Sequence, residues 1–225
     1  MPALRMTAAY AKNAFKRFRS FVKNRFIFLG WFAFAFAFAL QASAQTIHCD
    51  AVSTRLNELA GGDQKIRQAL RQQATAAEQE RVQKRQMVID SENLQHLKAI
   101  VAACGWPKTT KGSHAAWLLA QHADSDLAFQ RSAKELLEAS VKAGIAAPLD
   151  VAYLADRIAT NEGRPQEYGT QFSLTDRCHL VLDPVDDREL VNRRRLAIGL
   201  QSLEEYEAEG RRRFIPADCP PAVGR

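Results

Sequence analysis

The chain has 225 residues and carries 31 basic against 25 acidic side chains, a formal net charge of +6. Seven of the basic residues and none of the acidic ones precede residue 45, which leaves 24 basic against 25 acidic beyond it, a net charge of −1. A basic surplus confined to one end argues against nucleic-acid binding, which needs a positive surface to displace counterions from phosphates.

Residues 1–44 read as an export signal. Arg5, Lys12, Lys16, Arg17, Arg19, Lys23 and Arg25 precede an uncharged apolar run over 26–40, and Ala42-Ser43-Ala44 follows as a small-residue cleavage site. A helix over that run spans only about 22 Å, short of a hydrocarbon core of roughly 30 Å. His48 before Cys49 argues against a lipid-modified cysteine. The expectation is a cleaved signal, Gln45 as the first mature residue, and a periplasmic or secreted protein that meets a membrane only during export. Nine of the twelve phenylalanines leave with the signal, so residues 45–225 form one domain whose core is built of Leu, Ala, Ile and Val.

Cys49, Cys104, Cys178 and Cys219 all lie beyond the signal. An even count in an exported chain predicts two disulfides, and four cysteines allow three pairings. Cys49–Cys104 with Cys178–Cys219 is preferred, because each bond pins a terminal segment to a nearby element. No CxxC pair or zinc-type histidine spacing occurs, and no metal or cofactor is expected.

Between Cys49 and Cys104 the pattern is helical. Asp63 follows Gly61-Gly62 and reads as the cap of a helix bearing Ile66, Ala69 and Leu70. The stretch 71–86 is almost without apolar residues and reads as a solvated arm or long turn. Asp90 or Ser91 starts a helix with Leu94, Leu97, Ile100 and Val101 on one stripe, and Gly105 ends it. Ser113 reads as the cap of the next helix, which ends near His122. Asp124 or Ser125 caps another that runs to Gly144, and Pro148 opens a third that stops at Gly163. Beyond it, 166–172 and 178–182 are β-compatible and predict a hairpin with its turn at 173–177. A helix from Asp186 or Asp187, a break at Gly199 and a polar helix from Ser202 complete the chain. The predicted fold is mainly α, a single-domain multi-helix bundle with a small β-hairpin near 166–182.

The densest set of reactive side chains lies in 105–171. Gln121-His122-Ala123-Asp124-Ser125-Asp126 sets an imidazole and two carboxylates at a helix junction. Helix capping by Asp124 and a favourable first-turn charge on Asp126 explain both carboxylates without a metal. Asp156 falls on the apolar face of its helix with Leu149, Ala152 and Tyr153, where a carboxylate is costly to bury unless it is bonded. His122 and Asp156 are therefore the acid–base candidates. Asp124, Asp126, Arg157, Gln166, Tyr168, Gln171 and Trp106 are the candidates for holding a substrate. His122, Asp156 and Tyr168 are expected to converge on one polar pocket.

These residues resemble an uncharacterised bacterial domain family known by a Gly-Trp-Pro loop, Gln-His-Ala-Asp-x-Asp, Asp-Arg followed by Asn and Gly, and Tyr-Gly-Thr-Gln. The matches are Gly105-Trp106-Pro107, Gln121 to Asp126, Phe129-Gln130, Asp156-Arg157, Asn161, Gly163, Gln166 and Tyr168 to Gln171. Weaker ones are Asp63-Gln64 with Arg67, and Arg193 to Leu200 with Tyr206. The resemblance implies a shared polar site and names no chemistry for it. Two readings remain open: a hydrolase-like enzyme acting on an envelope glycan or peptide, and a non-catalytic module that binds a small molecule, glycan or peptide in the same groove. No nucleophile elbow, zinc signature or phosphate loop separates them.

Overall fold

A computed structural model describes residues 3–6, 47–71 and 75–220. Apart from residues 3–6, the stretch read as an export signal lies outside the described residues. The described elements are β1 (Ala3–Met6), α1 (Val52–Arg71), α2 (Ala76–Cys104), α3 (Thr110–Gln121), α4 (Leu127–Lys142), α5 (Pro148–Asn161), β2 (Gln171–Asp176), β3 (His179–Leu182), α6 (Arg188–Ala197) and α7 (Leu203–Phe214). The fold is mainly α. Among the described residues, no helix is long and apolar enough to cross a membrane.

The central element is α3, which packs against α1, α2, α4 and α5. It is buried on most of its circumference, with Ala115, Ala116, Trp117, Leu119 and Ala120 all in the core. A helix that is apolar nearly all round belongs inside a bundle. Where α1 crosses it, Gly112 allows the close approach: a Cβ there would lie 2.5 Å from Ser53 Oγ.

The helix starts differ from expectation in instructive ways. Gly61-Gly62 does not interrupt α1, and Asp63 is no cap. Both glycines face solvent, while Val52, Leu56 and Ala60 pack inward. Burial of that stripe outweighs the roughly 2 kcal/mol that two helical glycines cost. α2 begins well before Asp90, at a capping box in which Thr75 and Glu78 bond reciprocally. Thr109 rather than Ser113 caps α3, and Asp126 rather than Asp124 caps α4 through Phe129 N–H at 2.9 Å. Ser113 is instead buried, accepting from Trp106 Nε1 at 2.8 Å.

The hairpin is present with a shifted first strand. β2 and β3 pair antiparallel, Phe172 opposite Leu182 and Leu174 opposite Leu180, and β1 adds a parallel strand with Leu4 opposite Phe172. Residues 173–176 are strand rather than turn, and 167–170 form an irregular loop. Both disulfides, Cys49–Cys104 and Cys178–Cys219, join the expected partners. The first ties the segment before α1 to the end of α2, the second ties the hairpin turn to the segment after α7.

Candidate functional site

Charged side chains from several helices meet at the C-terminal end of α3, whose cap residue is His122. Asp63, on the inward face of α1, is completely buried. Its carboxylate lies 3.0 Å from His122 Nδ1 and accepts from Arg67 Nε at 3.1 Å and Gln64 Nε2 at 2.8 Å. Arg67 continues the chain through Nη2 to Asp90 Oδ1 on α2, at 2.6 Å. Arg67 Nε also lies 3.1 Å from His122 Nδ1. One ring nitrogen cannot donate to Asp63 and accept from Arg67 at once. The carboxylate decides the tautomer: Nδ1 carries hydrogen toward Asp63, and Arg67 bonds the carboxylates. His122 Nε2 then has no partner among the described residues.

Electrostatics separate the three titratable groups. Burial works to raise the Asp63 carboxyl, but the His122 hydrogen bond and the charge of Arg67 outweigh it and hold Asp63 below its ordinary value. Burial pushes the Asp90 carboxyl up to about 6, with the Asp63 charge adding and Arg67 opposing. Burial and the Arg67 charge push His122 down, so its imidazole is neutral at pH 7. Asp63, Asp90 and His122 offer ligand atoms within 4.8 Å of one another. Arg67 bonds to both carboxylates from that same space, so a divalent ion would have to displace a guanidinium that already supplies the positive charge.

A second limb lies across α3. Arg157 on α5 grips Asp124 with two hydrogen bonds, 2.9 Å from Nε and 2.7 Å from Nη2, and reaches Gln171 Oε1 at 3.3 Å. Asn161 Nδ2 also donates to Asp124, at 2.8 Å. The Arg157 charge acts on His122 too, and adds to the forces that keep the imidazole neutral.

Asp156 is held apart from this cluster. Its carboxylate accepts from the backbone N–H groups of Glu167 (2.8 Å), Tyr168 (3.0 Å) and Thr170 (2.9 Å), and it is fully buried. Burial lifts its carboxyl to about 6, with those N–H groups pulling the other way. From the opposite side, Arg195 Nη1 donates to the carbonyls of Tyr168 (2.7 Å) and Gly169 (3.4 Å), and its guanidinium stacks over Tyr206. The loop carrying Tyr-Gly-Thr is thus clamped between a carboxylate that takes its N–H groups and a guanidinium that takes its carbonyls.

The expected convergence of His122, Asp156 and Tyr168 is therefore replaced by two constellations, because Asp156 spends its hydrogen-bonding capacity on backbone. Tyr168 lends its main chain to the loop clamp. Gln166 does the same work for Gln171, accepting from its N–H at 2.7 Å, and Gln171 links loop to site through Arg157. Asp126 caps α4 and pairs with Lys98. Trp106 packs in the core near the start of α3, on the order of 13 Å along the helix from His122.

Sequence reasoning left Asp90 outside the site altogether, and it had Asp63 and Arg67 only as weaker matches of the resemblance. For those two a further signal exists. Leu56, Ala60, Asp63 and Arg67 follow one another at helical spacing, so Asp63 continues the apolar stripe of α1; reading Gly61-Gly62 as a break hides that phase.

Several buried polar atoms around the cluster have no hydrogen-bond partner among the described residues: Gln86 Oε1, Asn93 Nδ2, both amide atoms of Gln121, and Asn161 Oδ1. Gln86 Nε2 approaches Asp90 at 3.5 Å, Asn93 lies one turn beyond Asp90, and Asn161 bonds Asp124. α3 and α5 run in matched register, His114 meeting Asp150 and Trp117 meeting Tyr153, and one turn further Gln121 comes level with Arg157. Native interiors leave few such atoms, and each calls for a water or a ligand.

A family model described as "Family of unknown function (DUF6624)" matches residues 52–210. No curated protein and no solved structure matches the chain.

Proposed function

The chain belongs to that family, and we propose that it is an exported, hydrolase-like protein whose acid–base group is His122, acting on an envelope glycan or peptide. The observation that carries this reading is the Asp63–His122 hydrogen bond, which orients the ring by Nδ1 and leaves Nε2 without a partner. A neutral imidazole so held takes a proton from water or a substrate hydroxyl at Nε2 and returns it to a leaving group, while buried Asp63 stabilises the imidazolium between the two steps. Asp90, whose carboxyl is lifted to about 6, is the second group able to carry a proton. The Arg157–Asp124 ion pair, whose guanidinium charge is felt by the ring, positions what binds there. Asp156 enters as the residue that shapes the loop delivering Gln171 to Arg157. Export is supported by the basic-apolar-small order of residues 1–44 and by the two disulfides, which suit an oxidising compartment.

The sequestering of Asp156 favours a second reading, a non-catalytic binding module, because it removes one of the two acid–base candidates. Incubation of the exported protein with solubilised envelope glycan and peptide fragments, read by mass spectrometry, separates them. The enzyme reading expects turnover that His122→Gln lowers at least about 100-fold with binding retained. Binding without turnover in the wild type gives the module.

A further inference from the structure

The N-terminal half of α2 lies at the surface. Between Asp63 and Asn93 no described side chain is fully buried, whereas Leu94, Leu97 and Ile100 further along α2 are in the core. On this outlying stretch Lys84, Val88, Ser91 and Gln95 are all exposed and recur at helical spacing, opposite the buried Asn93, Leu97 and Ile100. Met87 and Val88 stand side by side there, 66% and 56% exposed. With Lys84, Ser91 and Glu92 they line an open groove whose surface is mostly apolar. Exposed apolar groups gathered on one helix face, with charges at its rim, mark a surface for another helix. The charges on either side of the apolar pair differ in sign: Arg81, Lys84 and Arg85 precede it and Glu92 follows.

We propose that this face pairs with the same face of a second copy, the two α2 helices running antiparallel about a twofold axis at Val88. A twofold contact requires a surface that complements itself, and this one does. Val88 meets Val88 on the axis, with Met87 of each copy beside it. At about 1.5 Å per residue, Glu92 of one copy then lies level with Lys84 of the other and next to Arg85, and the same pairs form in reverse. Arg81 comes level with Gln95, and Glu80 with His96, so no like charges face each other. Lys84 already bonds Glu80 at 2.7 Å, but both are largely exposed, and such a pair gives way at little cost. Parallel pairing would set Lys84 against Lys84 and Glu92 against Glu92. An anionic lipid surface would meet Glu80 and Glu92 as well as the basic groups. The contact uses none of the residues at His122 and holds whichever substrate that site takes.

The test is sedimentation of the exported protein from about 1 to 500 µM. A contact of one helix on one helix predicts a reversible dimer with a Kd of about 10–100 µM, weakened at least threefold between about 50 and 500 mM salt. Val88→Glu and Glu92→Lys should each raise that Kd tenfold or more, with the monomer's melting temperature unchanged because both positions are exposed. Lys84→Glu combined with Arg85→Glu should do the same. Mixed in equal amounts, the Glu92→Lys protein and the Lys84→Glu, Arg85→Glu protein should form a heterodimer, because each supplies the charge that the other now needs. Val88→Cys should cross-link to itself on oxidation faster than Leu196→Cys, a more exposed control on α6. A wild type that stays monomeric at the highest concentration would overturn the proposal. So would a dimer that Val88→Glu leaves intact, a mixture that stays monomeric, or a Val88→Cys that cross-links no faster than the control. Monomer bound to phosphatidylglycerol vesicles in place of dimer, and released by Val88→Glu, would give the face to lipid and overturn it too.

Discussion

At the scale of single residues, two buried acids have opposite employments. Asp63 orients a side chain, and Asp156 organises a backbone. Asp156→Ala would strand three N–H groups in a buried loop, and at about 1–3 kcal/mol per unsatisfied donor, reduced by local relaxation, the expected loss is about 3 kcal/mol. Asp156→Asn should cost less, because its Oδ1 still accepts from Glu167 and Tyr168 and only the Thr170 N–H meets an opposing donor. Denaturant unfolding of the two variants checks the order. His122 gives a pH dependence of known sign. Its folded-state pKa lies below the unfolded value near 6.5, so the unfolded chain takes up the proton first. Its contribution is complete above that value and is lost as pH falls through the folded pKa. Wild-type melting temperature should therefore drop between pH 7.5 and 5 more steeply than that of His122→Gln, which has no proton to bind there. Equal slopes would contradict the buried, neutral imidazole.

At the scale of elements, the loop 167–170 is the part most dependent on partners outside itself. Asp156 of α5 and Arg195 of α6 hold the same few peptide units from opposite sides, and Tyr206 OH of α7 donates to the Thr170 carbonyl at 3.1 Å. Two residues that restrain one loop should couple. The stability lost in Asp156→Ala combined with Arg195→Met is expected to fall short of the summed single losses by about 1 kcal/mol or more. Gly169 makes the loop possible: its φ is +64°, and a Cβ there would lie 2.6 Å from Leu203 Cδ1 in the core. Gly169→Ala should destabilise by about 1–3 kcal/mol through backbone strain and crowding together, and thermal unfolding measures it.

At the scale of the whole molecule, the two disulfides close loops of 55 and 41 residues at opposite ends of the described domain. In the chain-entropy picture each contributes about 4 kcal/mol. Replacing Cys49 and Cys104 by alanine should lower the denaturant midpoint sharply, because the bond ties the start of α1 to the end of α2. Four titratable thiols in the denatured, unreduced wild type would remove both bonds from the account. The export reading has its own check: N-terminal mass analysis of the exported chain should find Gln45 first.

The sequence by itself determined the helical class, the order of the helices after residue 105 and the presence of two disulfides, and it singled out His122, Asp124 and Arg157 as candidates. Each of these depends on local signals: apolar spacing, a proline at a helix start, a glycine at its end, an even set of cysteines. Three matters needed the tertiary structure. Gly61-Gly62 resembles a break, and only the packing of Leu56 and Ala60 on α3 shows that α1 runs through it and buries Asp63. Asp156 lies on an apolar face for a good reason, but whether it faces substrate or backbone depends on a loop eleven or more residues away that folds back onto it. Arg67 and Asp90 come from separate helices, and no spacing along the chain announces that they meet at His122. Periodicity tells which way a side chain points from its own axis. Where two axes cross is decided by packing, and the site is made of such crossings.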